Sequence, residues 1–232
     1  MVIEVIGHRG AAGLEPENTL RSIRRAIEIG VDRVEIDVRV TKDGRLVVIH
    51  DETVDRTTNG HGYVRDMTFE EIRKLDAGKG EKVPTLEEAL NLTRGKVILQ
   101  IELKVAEATE PTIELIEENG AEREVVITSF IHSLLKKVRY LNPAIRTGAL
   151  FFDVQEDIFE RTISACAEAI HIYYRNITPK LVENAHKRGL KVVAWNPDEV
   201  GDMKRIISLG VDAIGSNRPD ILINLLREMG MR

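Results

Sequence analysis

The chain has 232 residues, 43% of them hydrophobic and 31% charged, with 33 Lys and Arg against 38 Asp and Glu and a formal net charge of −5. Such a chain can bury one large core, and without a basic tract it has no electrostatic basis for broad binding to nucleic acid or to an anionic membrane. Any anion must be held locally, and the single cysteine, Cys166, excludes an intramolecular disulfide framework and reads as core filler.

The first strand is expected at residues 2–6, directly after Met1, which leaves no room for a signal peptide. No run reaches the ~18 apolar residues of a membrane span, so the expectation is a soluble, cytoplasmic protein. Leu20, Ile23 and Ile27 then form the apolar stripe of a helix. Residues 34–40 alternate strictly, with Val34, Ile36, Val38 and Val40 on one face and Glu35, Asp37 and Arg39 on the other. Asp43-Gly44 predicts a two-residue hairpin turn into a return arm at 46–50, which sets Asp37 directly opposite His50. Residues 51–84 interrupt the pattern; they are rich in Thr, Asp and Gly, with a short helical pattern from Phe69 to Leu75, and an insertion of this length reads as a functional cap.

Beyond it, Thr85 and Glu88 form a capping box, and Thr178-Pro179 is an N-cap followed by proline at the first helical position. Leu134, Val138 and Leu141 make a second helical stripe, and further strands are expected at 97–103, 124–128, 145–150, 168–172, 190–195 and 211–214. Gly30, Gly120, Gly189 and Gly210 sit where helices turn into strands, and Gly30-Val31-Asp32 is echoed by Gly210-Val211-Asp212. Eight strand–helix units in a chain of this size predict an α/β protein, a closed (β/α)8 TIM barrel of one domain over 1–232 with a small insertion after the second strand. The rival, a doubly wound open sheet, would want a Gly-rich phosphate loop after the first strand, and none is there.

Barrel chemistry sits at the C-terminal ends of the strands. There the chain carries His8-Arg9, Glu35, Asp37, His50 and the face shared by Gln100, Glu102 and Lys104. Charges on an otherwise apolar strand are costly to bury unpaired, so they either neutralise one another, with Arg9, Lys104 and Arg39 as partners, or bind something. Glu35, Asp37 and Glu102 are three hard oxygen ligands suited to magnesium or calcium; zinc would draw more imidazole or thiolate. Arg9, Lys104, His8 and His50 are then in surplus, which suits a phosphate bridging cation and guanidinium, with two imidazoles sharing acid and base duty near neutral pH.

In order, His8-Arg9-Gly10, Pro16-Glu17-Asn18-Thr19, Glu35-x-Asp37, Thr41-Lys42-Asp43-Gly44, His50-Asp51, Asp55 to Gly60, Pro84 to Glu88 and Glu102-Leu103-Lys104 resemble the glycerophosphodiester phosphodiesterase family. Ser129-Phe130, Trp195 and the stretch from Gly210 to Asp220 extend the resemblance over nearly the whole chain. It implies a (β/α)8 barrel and metal-dependent hydrolysis of glycerophosphodiesters to sn-glycerol 3-phosphate and an alcohol. Glu35, Asp37 and Glu102 match the family's metal ligands, His8 and His50 its acid/base pair, and Arg9 and Lys104 its phosphate contacts. His50 is expected as the first base and His8 as the acid.

Trp195 reads either as a wall against the glycerol or alcohol or as a packing aromatic, and Asn18 as a cap of the first helix. His61, His132, His171 and His186 read as loop, helix-surface or packing residues. Two departures stand out: Asn196-Pro197-Asp198 where the family usually has Thr-Val-Asn, and Asn217 where it usually has Asp. Neither is expected to touch the metal or the histidines; both bear on head-group recognition, with Asp198 free to cap the next helix. One alternative is a lysophospholipase D-like phosphodiesterase, which would want an apolar or basic lip that the insertion lacks. Another is a non-catalytic barrel binding phosphorylated ligands, for which the cations alone would suffice. The expected partner is a small-molecule diester, with no nucleic acid and no stable membrane association; oligomeric state stays open.

Overall fold

The computed structural model describes residues 3–232; residue 2 of the first expected strand lies outside them. In chain order the elements are β1 (Glu4–Gly7), α1 (Leu20–Ile29), β2 (Arg33–Val40), β3 (Leu46–Val48), α2 (Phe69–Lys74), α3 (Leu86–Thr93), β4 (Ile98–Leu103), α4 (Thr109–Glu118), β5 (Val125–Ser129), α5 (His132–Leu141), β6 (Arg146–Phe151), α6 (Ile158–Ser164), β7 (Ala169–Tyr173), α7 (Pro179–Lys187), β8 (Lys191–Trp195), α8 (Val200–Ser208), β9 (Ala213–Ser216) and α9 (Pro219–Glu228). All strands but β3 pair in parallel, and the β1–β2 pairing closes the sheet into the expected (β/α)8 barrel. The open-sheet alternative is thereby excluded.

The alternation of β2 decides which residues see which environment. Val34, Ile36 and Val38 are fully buried in the layer between strands and helices. Glu35 and Asp37 take the opposite face, into the barrel, where Asp37 is in register with Glu102 of β4 and Glu35 with Gln100. Below them Ile6, Ala169, Val193 and Ala213 form a small apolar plug. The interior is not apolar throughout, since Arg33, on the same face of β2 and paired with Glu4, and His171 of β7 are buried as well.

The echoed Gly-Val-Asp joints prove to be one device used twice. Gly30 and Gly210 adopt left-handed backbone, with φ of 90° and 76°. Each following Asp exchanges backbone and side-chain bonds with a neighbouring strand. Asp32 N donates to Val5 O (2.9 Å) and its Oδ2 accepts from Val5 N (2.8 Å); Asp212 does the same with Val192, at 2.9 and 2.7 Å. The expected caps also form: Thr85 with Glu88, and Thr178 on the N–H of Leu181 ahead of Pro179.

Two local expectations are corrected. The hairpin loop holds three residues rather than two: Thr41 N donates to Arg45 O, Arg45 N donates to Thr41 Oγ1, and Gly44 takes the left-handed conformation (φ 81°). Val38 consequently pairs with Val48 and Arg39 with Val47, a register one residue away from that expected, so Asp37 does not oppose His50. Instead Ile49 N donates to Asp37 O, and the arm leaves the ladder at His50. Cys166 is exposed in a left-handed turn after α6 (φ 58°), since the chain reverses there to enter β7, and is not core filler.

Between β3 and α3, residues 51–84 carry α2 and a core of their own. Val54, Val64, Ile72, Ala77 and Val83 bury against Val47 and Ile49 of the arm. Arg73 in α2 grips Glu88 of α3 through two hydrogen bonds of 2.6 and 2.7 Å.

Candidate active site

The mouth of the barrel gathers every site residue the sequence pointed to. His8, Arg9, Glu35, His50, Glu102, Lys104 and Trp195 line one cavity of about 120 Å³. Asp37 lies beneath them, 1% exposed.

Glu35, Asp37 and Glu102 present carboxylate oxygens that all lie within 4.8 Å of one another. Burial and the neighbouring Asp37 push Glu35 up to about 8, and burial with the same neighbour lifts Glu102 to about 7. Burial would raise Asp37 too, but Lys104, Arg9, His50 and Asn18 outweigh it and hold its carboxyl low. Lys104 Nζ stands 2.5 Å from Glu102 Oε1 and 3.4 Å from Asp37 Oδ1; Arg9 Nε lies 3.3 Å from Asp37 Oδ2 while its NH1 donates to Glu17 at 2.8 Å. Arg39, a candidate partner in a purely internal network, turns away and donates to His50 O. Positive charge is thus short by one carboxylate, and Asp37 Oδ1 is buried without a hydrogen-bond partner. The cluster can hold a divalent cation: three hard oxygen donors, one of them buried without a hydrogen bond, meet the chemistry such an ion requires.

Backbone strain helps aim the groups. Arg9 is left-handed (φ 51°), which lets its N–H donate to Glu35 Oε2 at 2.8 Å while the side chain swings over Asp37. Asn18 is left-handed too (φ 58°) and does not cap α1; Thr19 does. Asn18 instead grips Asp37 at both ends, Nδ2 donating to Oδ2 (2.8 Å) and Oδ1 accepting from the Asp37 N–H (3.2 Å). Neither contact was anticipated from the sequence, although Asn18 stands inside the Pro-Glu-Asn-Thr motif.

Each imidazole is held from behind. His50 Nδ1 lies 2.6 Å from Asp51 Oδ1, and Arg56 binds both Asp51 and Glu17 through paired hydrogen bonds. His8 Nδ1 lies 2.7 Å from Asn217 Oδ1, with its Nε2 3.9 Å from Glu35. Burial depresses both imidazoles below the usual histidine range. Asn217 therefore does touch a histidine, contrary to expectation, because the end of β9 lies beside the end of β1. Asp198 does not cap α8 either: Glu199 stands at the N-cap, and the Asp198 carboxylate reaches Ser216 and Asn217.

The opposite wall is aromatic. Trp195 stands edge-on to Phe130 with ring centroids 6.0 Å apart, and 5.4 Å from Tyr173, which stacks on Phe152 at 5.1 Å. Phe130 and Phe152 are 44% and 58% exposed, so an apolar lip exists, built by the ends of β5 and β6 rather than by the insertion. Among the other histidines, His61 is an exposed loop residue beside Asp55, His132 bonds Leu150 O, and His186 on α7 pairs with Asp212. His171 is buried on β7 within the cavity lining, and burial together with Arg33 drives its imidazole down to about 3.

No helix among the described residues is long and apolar enough to cross a membrane. The family model for glycerophosphoryl diester phosphodiesterases matches residues 8–221. The chain is 44% identical to a glycerophosphodiester phosphodiesterase of Caldanaerobacter subterraneus subsp. tengcongensis, over 97% of this chain and 98% of that one. An Oleispira antarctica phosphodiesterase, solved with its product sn-glycerol-3-phosphate, superposes with a TM-score of 0.93 at 28% identity, over 97% of both chains. A glycerophosphodiester phosphodiesterase from Agrobacterium tumefaciens matches with a TM-score of 0.83 at 33% identity, over 95% of this chain and 99% of that one. Agreement in sequence along the full length, in fold and in the span that carries the cavity leads to one conclusion: this chain belongs to the glycerophosphoryl diester phosphodiesterase family.

Proposed function

We propose that the protein hydrolyses glycerophosphodiesters to sn-glycerol 3-phosphate and an alcohol, with His8 and His50 as the acid/base pair and Glu35, Asp37 and Glu102 as ligands of a magnesium or calcium ion. The observation that carries this reading is the cluster of three carboxylates whose oxygens lie within 4.8 Å of one another, ringed by two cations and two imidazoles at one cavity. When bound, the ion supplies Lewis-acid stabilisation of charge on the reacting phosphate.

The chain's own residues do the rest. Arg9, aimed by Asp37 and Glu17, and Lys104, kept protonated because Glu102 and Asp37 offset its burial, hold the phosphate oxygens. His50 takes the proton of the glycerol hydroxyl adjacent to the phosphate, and Asp51 stabilises the imidazolium that forms. His8 protonates the leaving alcohol. The duties exchange when water opens the resulting cyclic phosphate. Trp195 forms the wall for the organic part of the substrate. Residues 1–232 act as one barrel domain and 51–84 as its cap, which the bridge from Arg56 to Glu17 ties to the loop after β1.

Released glycerol 3-phosphate from glycerophosphocholine, measured with and without chelator, tests the activity and its metal dependence together; release that a chelator leaves intact would refute the metal. The exposed Phe130 and Phe152 favour a second reading, in which the acyl-bearing glycerol side of a lysophospholipid is accepted as well. Choline release from lysophosphatidylcholine in the same assay decides it. A barrel that only binds would release nothing from either substrate.

His8→Ala and His50→Ala are each expected to lower kcat by about 10²- to 10⁴-fold, the usual cost of losing a general acid or base. Metal affinity by calorimetry should stay near that of the parent, since imidazoles add little to an oxygen-rich site. A variant turning over at the parent rate would remove its histidine from the scheme.

A further inference from the structure

Asp198 lies between β8 and α8, outside the cavity lining, and its carboxylate is fully used. Oδ1 accepts from Ser216 Oγ and from the Asn217 N–H, both at 2.8 Å, and Oδ2 accepts from Asn217 Nδ2 at 2.6 Å. An ionised carboxylate can only accept, so the NH₂ end of the Asn217 amide must face it. The other end, Oδ1, is then committed to His8 Nδ1, 2.7 Å away. A carbonyl oxygen carries only lone pairs, so the proton of that bond belongs to His8 Nδ1. A neutral imidazole has one N–H, and His8 Nε2, on the side of Glu35, is left with a lone pair.

We propose that Asp198 is a positioning residue for the reaction, which through Asn217 dictates the tautomer and ring orientation of His8. The proposal rests on the reading of His8 as an acid/base group. Without Asp198 the amide of Asn217 is free to turn end for end. It would then offer N–H to His8 Nδ1 and leave the proton on Nε2. Glu35, 3.9 Å from Nε2 and so beyond hydrogen-bond distance, pulls in that same direction only through its negative charge. Asp198 is the group that opposes this pull, acting from two hydrogen bonds away. A proton-accepting Nε2 toward the cavity is what the chemistry requires whenever His8 serves as base.

Asp198→Asn keeps the shape of the side chain and removes its acceptor-only character. In ¹⁵N-labelled protein at alkaline pH, where the ring is neutral, the His8 signals are identified by their absence in His8→Ala. Long-range ¹H–¹⁵N spectra should show Nδ1–H in the parent and a shift toward Nε2–H in Asp198→Asn. The kcat should fall about 10²-fold, within the loss of up to about 10⁴-fold that a wrong histidine tautomer causes elsewhere, with KM little changed. The double exchange Asp198→Asn with Asn217→Asp places an acceptor-only carboxylate directly against His8 Nδ1 and should restore both the tautomer and most of the rate. A packing role alone would not be rescued in this way. Asp198→Asn with unchanged His8 spectra overturns the proposal, as does a double exchange that restores folding but neither tautomer nor rate. If the tautomer shifts while His8→Ala retains full activity, the acid/base reading of His8 fails and the positioning by Asp198 stands.

Discussion

A glycerophosphodiester whose hydroxyl next to the phosphate is methylated is expected to turn over roughly 10⁵-fold more slowly than the free diester, the advantage an internal nucleophile gains from proximity. The expectation follows from the two imidazoles, each anchored through Nδ1 by a separate support, Asn217 for His8 and Asp51 for His50. Two such groups suit a sequence in which one takes a proton and the other gives one, and then the roles reverse. A substrate that supplies its own hydroxyl needs that symmetry. Phosphorus NMR during turnover should reveal a transient five-membered cyclic phosphate. Comparable rates for free and methylated diesters, with no cyclic species, would make water the nucleophile and end the two-step scheme.

Glu35→Gln and Glu102→Gln should each lower activity by about 10³-fold or more, since losing the several kcal/mol of charge stabilisation a cation gives costs a factor of ten per 1.36 kcal/mol. Calorimetric titration with magnesium or calcium should show the corresponding loss of affinity; parent-like binding in both variants would remove these residues from the cation's coordination. Stability should move the other way. In the metal-free protein burial beside Asp37 pushes Glu35 up to about 8 and Glu102 up to about 7, above the ordinary 4.5, so these two groups bind more protons in the folded chain than in the unfolded one between about pH 4.5 and 8. The contribution of these two carboxyls to the stability of the metal-free protein therefore falls as pH rises through that window, while the depressed imidazoles of His8, His50 and His171 act in the opposite direction. Either glutamine removes a repelling charge, and the metal-free variants should melt above the metal-free parent at neutral and alkaline pH. A cation should narrow that gap.

The strands and the caps at Thr85 and Thr178 were legible because their signals are local, whereas the caps expected of Asn18 and Asp198 did not form because both side chains are drawn to partners far along the chain. Alternation along 34–40 and the Thr–Glu spacing at 85 and 88 depend on neighbours a few residues apart, and each expected strand lies within two residues of its final bounds. Asp43-Gly44 announced a turn but not its length. The Thr41 hydroxyl, bonded to Arg45 N and to Asp43, adds the third loop residue and moves the register. His50 reached the site all the same, because the arm leaves the ladder there. The charged members of the site were legible from residue type and strand face; the contacts that orient them were not. Asn217 and His8 are 209 positions apart, and only closure of β9 onto β1 brings them together. The two departures from the family pattern likewise turn out to be one feature. Asp198 and Asn217 meet across a single hydrogen-bonded pair, carboxylate against amide.

The division of the barrel has a consequence for how such a protein diversifies. His8, Arg9, Glu35, Asp37, His50, Glu102 and Lys104 all precede β5, while the rings of Phe130, Phe152, Tyr173 and Trp195 all follow β4. Under the proposed roles, bond-breaking and the wall for the organic part of the substrate thus fall on separate contiguous stretches of gene. A chimera that keeps this chain through Lys104 and grafts the remainder from a relative would inherit the donor's appetite for alcohols with the chemistry intact, so long as position 217 still turns an oxygen toward His8.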